Sequence, residues 1–134
     1  MRFCLTFSLG TKVIGSLLTD TPASHSLHTL FLVRNTIQDE GAQSLAHALS
    51  LNSRLKLLDI RLNHITDLGS IPLAQALLKN ETLVGLNLAA NRITQDSCHS
   101  FSEMLVQNKT LIELDLSSND LGLKGKLDFN IHNV

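Results

Sequence analysis

Four segments of this chain repeat in register every 28 residues, and few folds can accept such a pattern. Leu27, Leu55, Leu83 and Leu111 open the segments, and Leu30, Leu58, Leu86 and Leu114 follow three residues later. Leu32, Ile60, Leu88 and Leu116 come next, then Asn35, Asn63, Asn91 and Asn119, then Ile37, Ile65, Ile93 and Leu121. A unit this short cannot bury its own apolar face, so successive copies must stack. Twelve of the 28 leucines of this 134-residue chain occupy these slots, while aromatic residues make up 4%. A thin core filled again and again by one aliphatic side chain accounts for both numbers.

Each slot has a physical reading. Alternate side chains of a short strand share a face, so Leu30 and Leu32 point inward and Thr29, Phe31 and Val33 outward. The asparagines stand where the chain turns away from the strand. An amide with two donors and an acceptor can bond backbone groups there, in its own repeat and in the next. Asn35, Asn63, Asn91 and Asn119 are therefore expected to form a structural ladder. The second half of each unit is predicted helical, with pairs four residues apart making one apolar stripe: Leu45 with Leu49, Leu73 with Leu77, Phe101 with Leu105. Small residues at Ala42, Ser70 and Cys98 let each helix lie close to the strands. Pro72 is expected near the first helical turn, where a missing N–H costs little. Asn52, Asn80 and Asn108 then close each helix.

The motif L-x-x-L-x-L-x-x-N-x-[IL] at this period resembles the leucine-rich repeats of the ribonuclease-inhibitor-like class. That resemblance implies an α/β solenoid with parallel strands on the concave face and helices on the convex face. The expected organisation is an atypical segment over 1–26, with a distorted capping helix as one reading. Repeats follow at 27–54, 55–82 and 83–110, with a partial copy at 111–126, and then an irregular tail at 127–134. At the amino-terminal end Phe7 replaces the asparagine, although Leu17 and, loosely, Val13 keep the register. At the other end Gly125 and Phe129 keep it and Asn133 does not. These improper ends suggest a portion of a longer array, or a shortened isoform.

Composition narrows the function. A hydrophobic fraction of 43% with 17% charged residues excludes a disordered chain, and a net charge of −1 excludes bulk electrostatic binding of nucleic acid. No run approaches the roughly 20 apolar residues of a membrane span. Gly10, Thr11 and Lys12 interrupt the apolar start before a signal sequence forms, so an intracellular, cytoplasmic chain is expected, with secretion as the alternative. The sequons at Asn80 and Asn108 follow from the repeat, since each threonine simply precedes the next repeat's leucine.

No residue set converges on chemistry. Cys98 fills the slot of Ala42 and Ser70, which suits a small buried thiol. Cys4 has no partner by spacing. His25 and His28 form H-x-x-H without a third ligand, while His47 and His99 fall on outward helix positions and His64 on a turn. With no nucleophile motif, phosphate loop or metal signature, neither catalysis nor a cofactor, metal or small-molecule substrate is expected.

What remains is surface. The outward strand positions make three columns: Thr29, Leu57, Gly85, Glu113; then Phe31, Asp59, Asn87, Asp115; then Val33, Arg61, Ala89, Ser117. Arg34, Leu62, Ala90 and Ser118 border them. Apolar Phe31, Val33, Leu57 and Leu62 on a face expected to be wet suggest a patch for a protein partner. Charge along this face grades from Arg34 and Arg61 to Glu113 and Asp115.

The run Gly41-Ala42-Gln43-Ser44-Leu45-Ala46-His47-Ala48-Leu49, the Arg61-Leu62-Asn63 turn and the Asn108-Lys109-Thr110-Leu111 junction resemble one particular family. It is that of dynein regulatory complex subunit 5, the T-complex-associated testis-expressed proteins. The similarity spans about 27–125. It implies a non-enzymatic structural subunit of the nexin link in the axoneme of motile cilia and flagella, with other subunits of that complex as partners. The rival expectation is a regulator of signalling, a GTPase-activating or nucleotide-sensing NOD-like-receptor-type repeat domain.

Overall fold

The computed structural model describes residues 26–123, the backbone of residues 2–4, and residues 16, 18 and 19. Five three-residue strands form one parallel sheet in sequence order: β1 Arg2–Cys4, β2 Thr29–Phe31, β3 Leu57–Asp59, β4 Gly85–Asn87 and β5 Glu113–Asp115. Thr29, Leu57, Gly85 and Glu113 pair along one column, so the 28-residue step of the sequence is the step of the sheet. Arg2 pairs with Thr29, and the sheet therefore begins inside the segment that the sequence marks as atypical. Phe7, Val13, Leu17, His25, Gly125, Phe129, Asn133 and the tail 127–134 lie outside the described residues.

From β2 to β5 three helices return the chain from strand to strand: α1 Gln38–Leu51, α2 Asp67–Leu77 and α3 Cys98–Gln107, the last entered through a 3-10 turn at Gln95–Ser97. Between helices and sheet lies one continuous apolar layer. Leu30, Leu58 and Leu86 from the strands meet Leu45, Leu49, Leu73, Leu77 and Phe101 from the helices. Each fully buried leucine contributes about 1.5–3 kcal/mol. Phe101 takes a leucine slot and is fully buried, and Leu105 is half-buried. Ala42, Ser70 and Cys98 are buried, as close helix–strand packing requires.

Pro72 corrects the sequence reading. It is the sixth residue of α2, well past the first turn, and an interior proline deprives the carbonyl four residues back of its donor. That carbonyl belongs to Leu68, and Gln43 Nε2 of α1 donates to it at 3.0 Å. A side chain from the neighbouring repeat thus replaces the missing backbone bond.

Polar ladders tie the repeats together. Asn63 Oδ1 accepts from the N–H of Asn35 at 2.8 Å and of Ile37 at 3.2 Å, while its Nδ2 donates to the carbonyls of Leu32 and Ile60. Asn91 repeats this toward Asn63, Ile65, Ile60 and Leu88. Asn119 accepts from Ile93 N–H and donates to Leu88 and Leu116. The expected asparagine ladder is present at all three of these steps.

A second ladder runs along the other edge. Asn80 Nδ2 donates to the carbonyls of Leu49 and Asn52, and Asn108 Nδ2 to those of Leu77 and Asn80. Each Oδ1 accepts from the N–H groups that open the next strand, at Thr82 and Leu83 or Thr110 and Leu111. Asn52 closes α1 in the same way and donates to Leu18. The amide nitrogens of both sequons are therefore committed to backbone carbonyls, a poor arrangement for glycosylation of the folded chain.

A third set joins helix starts. Asp39 accepts from Thr66 N–H and Oγ1, and Asp67 from Thr94 N–H and Oγ1, at 2.7–3.0 Å. Ser97 also donates to Asp67, and the Ser97 hydroxyl lies 2.7 Å from that of Ser70, both fully buried. Burial pushes the Asp67 carboxyl up, but the hydrogen bonds from Ser97 and Thr94 outweigh it and hold the group below the usual carboxylate value.

Candidate interaction face

The strands turn alternate side chains away from the core, and these line a shallow groove of about 480 Å³ on the sheet's open face. Its walls include Phe31, Leu57, Asp59, Asn87, Glu113 and Asp115, six of the residues singled out from the sequence. Val33, Arg34, Arg61 and Leu62 are not part of its lining. Val33 is half-buried; Arg34, Arg61 and Leu62 are exposed. Ile112, just before β5, also lines the groove and is 79% exposed, although the outward columns do not include it.

The face is drier than expected. Thr29 and Asp59 are each 8% exposed, and Gly85 is buried. Leu57 explains the last of these. A Cβ built on Gly85 would lie 2.6 Å from Leu57 Cδ2, so the leucine leans across the adjacent strand into the space that a side chain would fill. Leu57 remains 38% exposed in this position.

The polar column has a structural task of its own. Asp59, Asn87 and Asp115 each accept, through Oδ1, a hydrogen bond from the N–H two residues on, at Arg61, Ala89 and Ser117. Short polar side chains fold the chain back at a strand end in this way. Phe31 holds the same slot in its repeat. The outer carboxylate oxygens differ in what they meet. Asp59 Oδ2 pairs with Arg61 Nε at 3.3 Å, whereas Asp115 Oδ2 accepts from Asn87 Nδ2, at 3.3 Å. Hydrogen bonds from Ser117 lower the Asp115 carboxyl, against opposing burial, and Arg61 and Asn87 lower it further. Glu113 is exposed and makes no ion pair among the described residues.

Beside the groove the backbone departs from what the residue types suggest. Arg34, Leu62, Ala90 and Ser118 all have φ between 52° and 58°. The left-handed region costs non-glycine residues about 1 kcal/mol or more. The tight turn into the ladder asparagine sets this conformation. It aims the N–H of Arg34, Leu62 and Ala90 at the next repeat, as in Leu62 to Ala89 O at 3.2 Å and Ala90 to Ser117 O at 2.9 Å. No glycine marks these turns in the sequence. The 28-residue spacing of the four positions was the available signal, as it was for the Asp39–Thr66 and Asp67–Thr94 pairs.

The described histidines do not gather. His28 Nδ1 lies 2.7 Å from Ser26 O, while His47, His64 and His99 are exposed on separate elements. Among the described residues no group of three or more His, Cys, Asp or Glu is placed to hold a metal ion. Cys98 is buried with Sγ 4.0 Å from Thr94 O. No helix among the described residues is long and apolar enough to cross a membrane.

Comparison with known proteins places this geometry. The leucine-rich repeat model matches residues 23–46, 51–74 and 107–125, together half of the chain. A solved structure of the leiomodin-1 actin-binding site 2 superposes with a TM-score of 0.73 at 24% identity, over 86% of this chain and 66% of that one. The chain thus spans just under two thirds of that structure. The tropomodulin C-terminal domain of Caenorhabditis elegans superposes with a TM-score of 0.77 at 14% identity, over 92% of this chain and 75% of that one. At these identities the likeness concerns the fold. No curated protein matches this sequence.

Proposed function

This chain belongs to the leucine-rich repeat family, and on that premise we propose that it is a non-enzymatic scaffold holding a protein partner on its open sheet face. The observation that carries this reading is Leu57, a large aliphatic side chain that lies over Gly85 outside the core and stays partly exposed. Phe31 and Ile112 extend the same apolar strip along the groove. Apolar surface gathered on one face, with polar groups at its border, suits a protein contact.

The partner is proposed to be cytoskeletal and the chain cytoplasmic. The resemblance of Gly41–Leu49, the Arg61–Asn63 turn and the Asn108–Leu111 junction to the dynein regulatory complex family supports an axonemal address, with other subunits of that complex as partners. The likeness to the leiomodin-1 actin-binding site supports a second reading, in which this face meets actin. Immobilised chain is incubated with an axonemal extract and, separately, co-sedimented with filamentous actin. The first reading expects retention of regulatory-complex subunits, lost with Leu57→Asp and kept with His47→Ala on the exposed helix side. Actin co-sedimentation sensitive to Leu57→Asp selects the second. Retention of either partner that ignores Leu57→Asp removes the open face from the account.

A further inference from the structure

Beyond an interaction face in general, we propose that the groove selects a cationic and apolar polypeptide segment, with an aliphatic or aromatic side chain seated on Leu57 and Phe31 and a Lys or Arg held by Glu113 and Asp115. This rests on the reading of the open face as the binding face and adds the chemistry of what binds there.

Charge complementarity is the argument. Three carboxylates and, among the described residues, no Lys or Arg line the groove; Arg61 stands beside it. Arg61 pairs with Asp59 at 3.3 Å and its charge also acts on Asp115, so one cation is set against three carboxylates and a local excess of negative charge remains toward Glu113. Asp115 is fixed in place by Ser117 N–H on one oxygen and Asn87 Nδ2 on the other, so a cation meets a preset carboxylate. Ionised side chains accept the stronger, charge-assisted hydrogen bonds. An acidic partner would meet like charge, which disfavours the wrong complex as strongly as contacts favour the right one.

Position supports the same occupant. The column Thr29, Leu57, Gly85, Glu113 steps across neighbouring strands, so Leu57 and Glu113 stand two strand spacings apart, roughly 10 Å. Leu57, which covers Gly85, and Ile112 supply apolar ground beside Glu113. A partner side chain with an aliphatic stem and a charged end, or a leucine followed closely by an arginine, satisfies both ends of the groove.

A random octapeptide display library selected on the immobilised full chain provides the test. Enriched clones are expected to pair Lys or Arg with Leu, Ile or Phe. Their binding should fall at least tenfold with the double variant Glu113→Gln/Asp115→Asn, and again between 50 and 500 mM salt, as a screened charge contact must. Circular dichroism of the variant checks that it is folded. Enriched clones that depend on Leu57 but carry no basic residue would overturn the charge assignment and leave the interaction face standing. Clones indifferent to both Leu57→Asp and the double variant, or no enrichment at all, would overturn the proposal together with the interaction face.

Discussion

Truncating one rung of the asparagine ladder at its centre should cost far more than truncating it at the last described rung. Asn63 is fully buried. In Asn63→Ala the N–H groups of Asn35 and Ile37 lose their acceptor and Leu32 O its donor, while Ile60 O keeps Asn91 and Arg61 O keeps Arg34 N–H. Three buried groups at about 1 kcal/mol or slightly more each give a loss of roughly 3–4 kcal/mol. Asn119 is half-buried, and the corresponding losses are Ile93 N–H and Leu116 O. Leu88 O retains Asn91, and Ser117 O retains Ala90 N–H. Water can reach part of that site, so Asn119→Ala should cost about 1–2 kcal/mol. Domains of this kind have about 5–15 kcal/mol in total, so the central variant should remain measurable. The chain has no Trp or Tyr, which makes far-ultraviolet circular dichroism in urea the suitable probe. Asn63→Asp, which keeps the acceptor and loses the donors, should fall between wild type and Asn63→Ala. Equal losses at the two rungs, or a loss at Asn63 below about 1 kcal/mol, would refute the ladder as the element joining these repeats.

Further expectations concern the rest of the inter-repeat framework. Gly69→Ala, though it replaces glycine within a helix, should destabilise by about 1–3 kcal/mol, because its Cβ would fall 2.7–2.9 Å from Asp39 Oδ1, Ala42 Cβ and Ile65 Cγ2. Gly85→Ala should cost less than about 1 kcal/mol, since only the tip of Leu57 must swing aside, and should weaken partner capture in the pull-down. Gln43→Ala should cost about 1 kcal/mol in the natural chain and near zero beside Pro72→Ala, which restores the backbone donor to Leu68 O; a double-mutant cycle without coupling would refute the substitution of one bond by the other. For Asp67 the folded value lies below the ordinary 3.8, so its contribution is complete above that pH and fades as pH falls through it toward the folded value. Urea midpoints measured from pH 5 to pH 2.5 should drop more steeply for the natural chain than for Asp67→Asn.

Much of this protein was legible before any coordinates, because a solenoid has one local solution used repeatedly. Leu30, Leu58 and Leu86, the helix stripes and the asparagine ladder could be read from spacing alone: their partners lie one period away, and a period is visible in a sequence. Three features were not. Asn52, Asn80 and Asn108 read as helix ends, but their second ladder depends on the approach of adjacent turns. Pro72 sat one turn deeper than expected, since α2 begins at Asp67 and a neighbour's Gln43 makes that position tolerable. The open face was expected to be uniformly wet, yet Leu57 leans over Gly85, Asp59 turns to Arg61, and the left-handed turns at Arg34, Leu62, Ala90 and Ser118 carry no glycine to announce them.

The division has a physical cause. Sequence by itself determined the period, the fold and the inward residues, because burial of an apolar face at fixed spacing admits few arrangements. Only the tertiary structure decided which outward residues form a groove and which carboxylate Arg61 pairs with, because those depend on side-chain directions across strands 28 residues apart.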